Sequence, residues 1–480
     1  MTYSFSHSRR LFLRDAVCSS LAAATSGALM TQFGLVNSAL AQSGCGSYGA
    51  VSDYKALICL FLLGGNDSWN MLIPSDAQRY ATYSTSRSGP APTGMAIAQN
   101  TLVPINVVNS GAGETYGLHP NLPELAQLFN NGNGAFVVNV GTALQPTIKT
   151  QYQQPGYPVP PQLFSHADQQ AQWQYGQPKQ NGTTGWGGLV ADRLHVLNPG
   201  ATIPMSISLS GQNRFQTGDS IQPYTISSGG PTSLAGYTGS TGSTGTARLT
   251  ALTEMLGETY TDPLSRAYAG KVSSALDYYN TISSALAQAP ALTTTFPANN
   301  PVASALAEIA KVISMRSVLN AKRQIFFVSY GSFDTHANQL NDQPKLLQTV
   351  SQALGAFYDC TVNDLKIPQS VTTFTLSEFA RTLNSNGDGT DHAWAGNQFV
   401  MGGAVKGQKL YGANAASGSL FPDQTLNGTD CLSRGQMMPG VSCDQYSATL
   451  ASWLGVQACD IAEIFPYVGN FSTSNLGFLS

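Results

Sequence analysis

A chain of 480 residues is long enough to bury a large core, as one large domain or two to three ordinary ones. Only 10% of its residues are charged and the formal net charge is -3, so nothing favours nucleic acid or an acidic polymer as a partner. The 48 glycines, with many Ser, Thr, Asn and Gln, suit a secreted, loop-rich protein rather than a cytosolic one.

The first element is a targeting segment. "SRRLFLRD" (Ser8 to Asp15) sets paired arginines ahead of an apolar Ala/Leu stretch, and Ala39 with Ala41 makes an A-x-A cleavage site before Gln42. Residues 1–41 therefore read as a signal peptide that resembles the bacterial twin-arginine signal, which implies the twin-arginine export machinery as a partner and a periplasmic or secreted location. That pathway carries folded proteins, often with a cofactor in place. The apolar stretch is short and interrupted by Thr, Ser and Gly, so no stable membrane span is expected in the mature protein. Removing the signal leaves six of the 7 cysteines; an oxidising compartment permits disulfides, and Cys431 with Cys443 would close a short loop containing Pro439 and Gly440. Cys59 lies inside an apolar strand and reads as a buried small hydrophobe.

Short apolar runs then alternate with amphipathic segments, the pattern of an α/β domain with a mainly parallel sheet covered by helices. "ALICLFLL" (Ala56 to Leu63), "AFVVNV" (Ala135 to Val140), "IFFVSY" (Ile325 to Tyr330) and "VTTFTL" (Val371 to Leu376) read as strands. Leu346, Leu347, Val350, Leu354 and Phe357 fall at helical spacing between the last two strands, giving a strand-helix-strand crossover. Further helices are expected over Val302 to Leu319 and in "HPNLPELAQLFNNG", stopped by Asn131 and Gly132. "SSGGPTSLAGYTGSTGSTGTA" (Ser227 to Ala247) has no periodic apolar residues, and Ser210 to Asn300 reads as an insertion or cap within a single domain spanning residues 54–480.

Open α/β sheets gather ligands beyond the carboxyl ends of their strands. Asp67 in "GGNDSWN", Asp334 in "GSFDTHANQ" and Glu378 in "TLSEFAR" each follow a strand, which in a chain so poor in charge points to a shared site. His336 lies two residues after Asp334, and Asp391 and His392 adjoin in "GTDHAW". Carboxylates with imidazoles suit a divalent ion such as zinc, whereas an all-oxygen set would suit calcium or magnesium. A calcium loop starting at Asn384 fails, because its twelfth position is Ala395 where a bidentate Glu is required. His119 and His166 read as hydrogen-bonded loop or cap residues, and His195 as structural. Ser165 opens a helix whose N-terminus favours an oxyanion, so next to a metal it could attack phosphorus or sulfur; as a bare helix cap it would do nothing of the kind. Arg381 either stabilises the developing charge or pairs with Glu378.

The motifs "GGND", "GLHP", "SH" with a downstream Trp, "GW", "FDTH", "SEFAR" and "TDHAWAGNQFVMGGAVKG", in this order, resemble the twin-arginine-exported bacterial family of unknown function numbered fifteen-oh-one, which is grouped with sulfatase-like proteins. The resemblance implies a three-layer alkaline-phosphatase-like fold with helices on both faces of the sheet. It also implies metal ligands at Asp67, Asp334, Glu378 and His392, with His336 and Asp391 beside them, and Ser165 as nucleophile. Two positions depart from that superfamily: the expected Asp-x-x-x-His spacing lands on Asn338, and Phe379 stands where a histidine is expected. The expected function is thus an exported metal-dependent hydrolase of small or polymeric phosphate or sulfate esters. The alternative is a non-catalytic periplasmic or surface binding protein that keeps the fold.

Overall fold

A computed structural model describes residues 46–176, 182–237, 242–412 and 418–480; the signal segment 1–41 lies outside them. Nine strands form the main sheet: β1 (Lys55–Leu62), β2 (Gly134–Gly141), β3 (Ser206–Ser208), β4 (Tyr224–Thr225), β5 (Arg323–Tyr330), β6 (Val371–Leu376), β7 (Gly396–Gly402), β8 (Leu410–Tyr411) and β9 (Val441–Ser442). Their order is β8-β2-β7-β6-β1-β5-β3-β4, with β9 also on β2. All pairings are parallel except those of β7, which runs antiparallel to both β2 and β6.

The helices that matter below are α1 (Ala77–Ser86), α2 (Pro123–Asn130), α3 (His166–Tyr175), α4 (Trp186–Leu194), α5 (Thr244–Leu256), α6 (Pro263–Leu286), α7 (Pro301–Ser314), α8 (Gln339–Asn363) and α9 (Cys443–Leu454). Strand β1 shows why the sheet reads as unbroken apolar runs. Ala56, Ile58, Leu60 and Leu62 enter one core with α2, α7 and α8, while Leu57, Cys59 and Phe61 enter another with α4 and α9. Helices therefore cover both faces, and no strand face is left for polar alternation. Pro301 sits at the start of α7, where its missing N–H costs nothing, and the Asn300 side chain caps Ala303 N–H at 2.9 Å. Helix α8 carries the chain from β5 across β1 to β6.

The four expected strands and the crossover helix all form. Between 210 and 300 the chain first adds β4 to the sheet edge and then builds α5 and α6, which pack on each other. The expected Cys431 to Cys443 bridge does not form: both are free, buried thiols in separate structures, one bridging to Met437 and the other opening α9. Cys59 and Cys360 are likewise free and buried, and Cys459 is disulfide-bonded. Among the described residues, no helix is long and apolar enough to cross a membrane.

Candidate metal centre

Strands β1, β5 and β6 lie side by side and parallel, so the segments leaving them emerge at one end of the sheet. From β1 comes the Gly64–Gly65 turn, with φ of +117° and +79°. A Cβ on Gly64 would lie 2.4 Å from the Asp334 backbone nitrogen, and one on Gly65 would lie 2.3 Å from the Phe379 ring. The two glycines therefore let β1 press against the segments that follow β5 and β6. β5 delivers Asp334 and His336, and β6 delivers Glu378 and Phe379. A hairpin, Arg381–Ser385 with Thr390–His392, brings back Asp391 and His392, and α3 presents His166 at its first turn.

Three imidazoles meet here. His166 Nδ1 lies 2.9 Å from Glu378 Oε1, His336 Nδ1 lies 3.1 Å from Asp391 Oδ1, and His392 Nδ1 lies 2.8 Å from the Phe164 carbonyl. Each of those partners only accepts, so each Nδ1 carries the hydrogen, and the neutral ring is left with its lone pair on Nε2. Those Nε2 atoms all lie near Asp334: His336 and His392 approach each other to 2.9 Å, Asp334 Oδ1 lies 3.1 Å from His336 and 3.3 Å from His392, and Oδ2 lies 3.4 Å from His166. Ligand atoms of His166, Asp334 and His392 all fall within 4.8 Å of one another, and His336 flanks them as a fourth donor. Lone pairs converging with a carboxylate repel unless a proton or a metal cation lies between them. Imidazoles whose other nitrogen donates to a carboxylate or carbonyl are the arrangement in which metal-ligating histidines are held. A set of three nitrogens and one oxygen fits zinc or a similar transition ion better than calcium or magnesium.

The surroundings are polarised to match. The hydrogen bond and charge of Glu378 raise the His166 pKa above its ordinary value, whereas burial lowers that of His392. For Asp334 partial burial pushes upward, but the Arg381 guanidinium, donating from Nη1 at 2.6 Å, and the neighbouring histidines hold the carboxyl below its usual range. Phe379 forms the floor, its ring centroid 4.8 Å from that of His166 and 4.7 Å from that of His392. The side chain that replaces an expected ligand thus fixes the planes of two others.

A family model described as Protein of unknown function (DUF1501) matches residues 54–452, a span that includes the whole cluster. The chain belongs to that family. No curated protein matches it.

In this DUF1501 chain the residues singled out in the sequence fall into three groups. Asp334 and His392 offer ligand atoms and His336 lies against both, whereas Glu378 and Asp391 stand behind the histidines as hydrogen-bond acceptors. Asp67 is elsewhere: it is fully buried, paired with Arg87 and accepting from Gln339 Nε2, so its charge is already neutralised. Arg381 is also fully buried and donates to Asp334 and to the Thr390 and Gly64 carbonyls, so it supports the ligand without facing outward. Ser165 precedes His166, and its hydroxyl donates to Asp168 Oδ2 at 2.6 Å. His166 itself, read as a loop or cap residue, is a central member of the cluster. His119 and His195 lie outside it, held by Asn121 N–H and the Asp192 carbonyl.

Proposed function

We propose that this chain is an exported, metal-dependent hydrolase of phosphate or sulfate esters, holding one transition ion with His166, Asp334, His392 and His336. The observation that carries the reading is the grouping of His166, His392 and Asp334 ligand atoms with His336 Nε2 beside Asp334, each Nδ1 facing Glu378, Asp391 or the Phe164 carbonyl. A mainly parallel sheet, helices on both faces and a site beyond the strand ends support an alkaline-phosphatase-like fold. Export rests on the paired arginines of "SRRLFLRD".

The bound ion supplies Lewis-acid polarisation of an ester oxygen. The chain supplies the remainder. Ser165 Oγ attacks phosphorus or sulfur, Asp168 takes the Ser165 proton along the hydrogen bond already present and passes it to the departing ester oxygen, and water then cleaves the seryl ester to release phosphate or sulfate and restore the hydroxyl. Backbone N–H groups in the first turn of α3, which Ser165 opens, would offer donors to the developing oxyanion. Asp67 is paired with Arg87, and Arg381 donates to the same Asp334 oxygen that faces His336 and His392, so this reading takes the site to hold a single ion.

Elemental analysis of the purified mature protein, followed by aryl phosphate and aryl sulfate assays on wild type and Ser165→Ala, tests this reading. Expected are about one ion per chain and a loss on the order of 100-fold or more in the variant. A metal-free protein whose background hydrolysis is the same in both forms would instead identify a binding protein that keeps the fold.

A further inference from the structure

We infer that Arg434 seats the anionic group of the substrate, which makes that substrate an ester with a tetrahedral oxyanion, phosphate or sulfate. The inference rests on the hydrolase reading and adds the residue that would select for charge. It starts from a contrast among three guanidinium groups around the cluster. Arg87 and Arg381 are 0% exposed. Arg87 gives its hydrogens to Asp67 and the Thr382 carbonyl, and Arg381 gives its own to Asp334, Thr390 and Gly64. Neither can reach a ligand. Arg434 is different: its side chain is 54% exposed, and it is tied to the cluster through one carboxylate only, from Nη2 to Asp391 Oδ2.

That carboxylate sets its position. Asp391 turns its other oxygen, Oδ1, to His336 Nδ1 and to Asn386 Nδ2, both at 3.1 Å. Arg434 and His336 therefore flank a single carboxyl group, and both are partly exposed, Arg434 at 54% and His336 at 42%. The backbone that carries it is firmly held. Residues 431–437 fold back on themselves through the Cys431 to Met437 bridge and the Leu432 N–H to Gln436 carbonyl bond. Leu383 N–H then donates to the Gly435 carbonyl at 3.0 Å, locking this turn to the hairpin that bears His392. Gly435, at φ +78°, lies with its Cα directly against Leu383, where a Cβ would come within 2.6 Å of that side chain.

Charge balance points the same way. With Asp67 paired to Arg87, the carboxyl groups of Asp334, Glu378 and Asp391 stand among the guanidinium groups of Arg381 and Arg434. A divalent cation held by the cluster would shift this balance towards positive charge and favour an anion nearby. The planar guanidinium fork of Arg434 suits a tetrahedral oxyanion, and an ion held by the histidines and Asp334 would add attraction for the same anion. The competing role for Arg434 is purely structural, holding Asp391 and hence His336, and it has a different signature.

Calorimetric titration of inorganic phosphate and, separately, sulfate into the mature protein, as purified and after zinc loading, distinguishes the two and also tells which oxyanion is preferred. Wild type, Arg434→Ala and Arg434→Lys are compared, with metal content measured on the same samples. Expected is a weakening on the order of 10- to 100-fold in the alanine variant, partial recovery with lysine, which offers a point charge without the fork, and unchanged metal content. Equal affinity in wild type and Arg434→Ala, no oxyanion binding by wild type, or metal lost together with the anion would each overturn the assignment. Oxyanion binding that depends on Arg434 in a protein that takes up no metal leaves the clamp standing and removes the hydrolase reading alone.

Discussion

Glu378 has no exposed surface, and its Oε1 accepts from Gly64 N–H, His166 Nδ1 and Gln170 Nε2, each at 2.9 Å. Its Oε2 has no hydrogen-bond partner among the described residues. A buried carboxylate on such terms is costly unless positive charge lies close by, and the nearest acceptor of that charge is the ring it orients. Glu378→Gln keeps the shape and removes the charge. It should weaken metal binding by about 10- to 100-fold while the fold persists, measured by competition with a chromogenic chelator. An unchanged affinity would mean that Glu378 does not orient His166. The same residue shows what the sequence makes legible: an acid directly after an apolar strand can be placed at the site end of the sheet without coordinates. Its role as an acceptor behind a histidine cannot be read that way, because His166 lies 212 residues away along the chain.

The turn after β1 shows how much of the site belongs to elements rather than to ligands. Gly65→Ala would force a side chain onto a left-handed residue and drive its Cβ into Phe379, the ring on which His166 and His392 rest. The cost should be about 2–5 kcal/mol, visible as a lower denaturant midpoint together with reduced metal uptake. Unaltered stability would show that the ring can step aside. The strands were readable because burial on both faces makes them continuous apolar runs, and the crossover because α8 repeats its apolar residues at helical spacing. His166 was missed for the converse reason. Helix α3 is short and buries Gln169 and Gln172 beside Trp173, so no apolar stripe marks which face is turned inward. Asp67 reads as a site acid from its visible place after β1, whereas Arg87, with which it pairs, follows α1 in a separate segment. The stretch that mimics half of a calcium loop is a hairpin turn in which Asn386 Oδ1 accepts from Asp388 and Gly389 N–H.

Across the whole molecule, the histidine in "GLHP" links stability to acidity. His119 is 2% exposed, accepts from Asn121 N–H and has its pKa lowered to about 4 by burial. The unfolded chain protonates this ring near pH ~6.5, so it binds more protons than the native chain as pH falls. The stabilisation is complete above that value and is lost between about 6.5 and about 4. Between those limits wild type should lose on the order of 3 kcal/mol more than His119→Gln, measured by denaturant unfolding at both pH values. Equal losses would show that the ring is protonated in the native state as well. The partial exposure of Asp334 and His336 has a different outcome, one of exchange rather than energy. An ion held there is within reach of solvent, of chelators and of rival cations, unlike one sealed into a structural site. Which metal fills the centre would then follow the supply around the protein and the intrinsic order of metal affinities, so that its occupancy records the free-metal content of the compartment in which the protein resides.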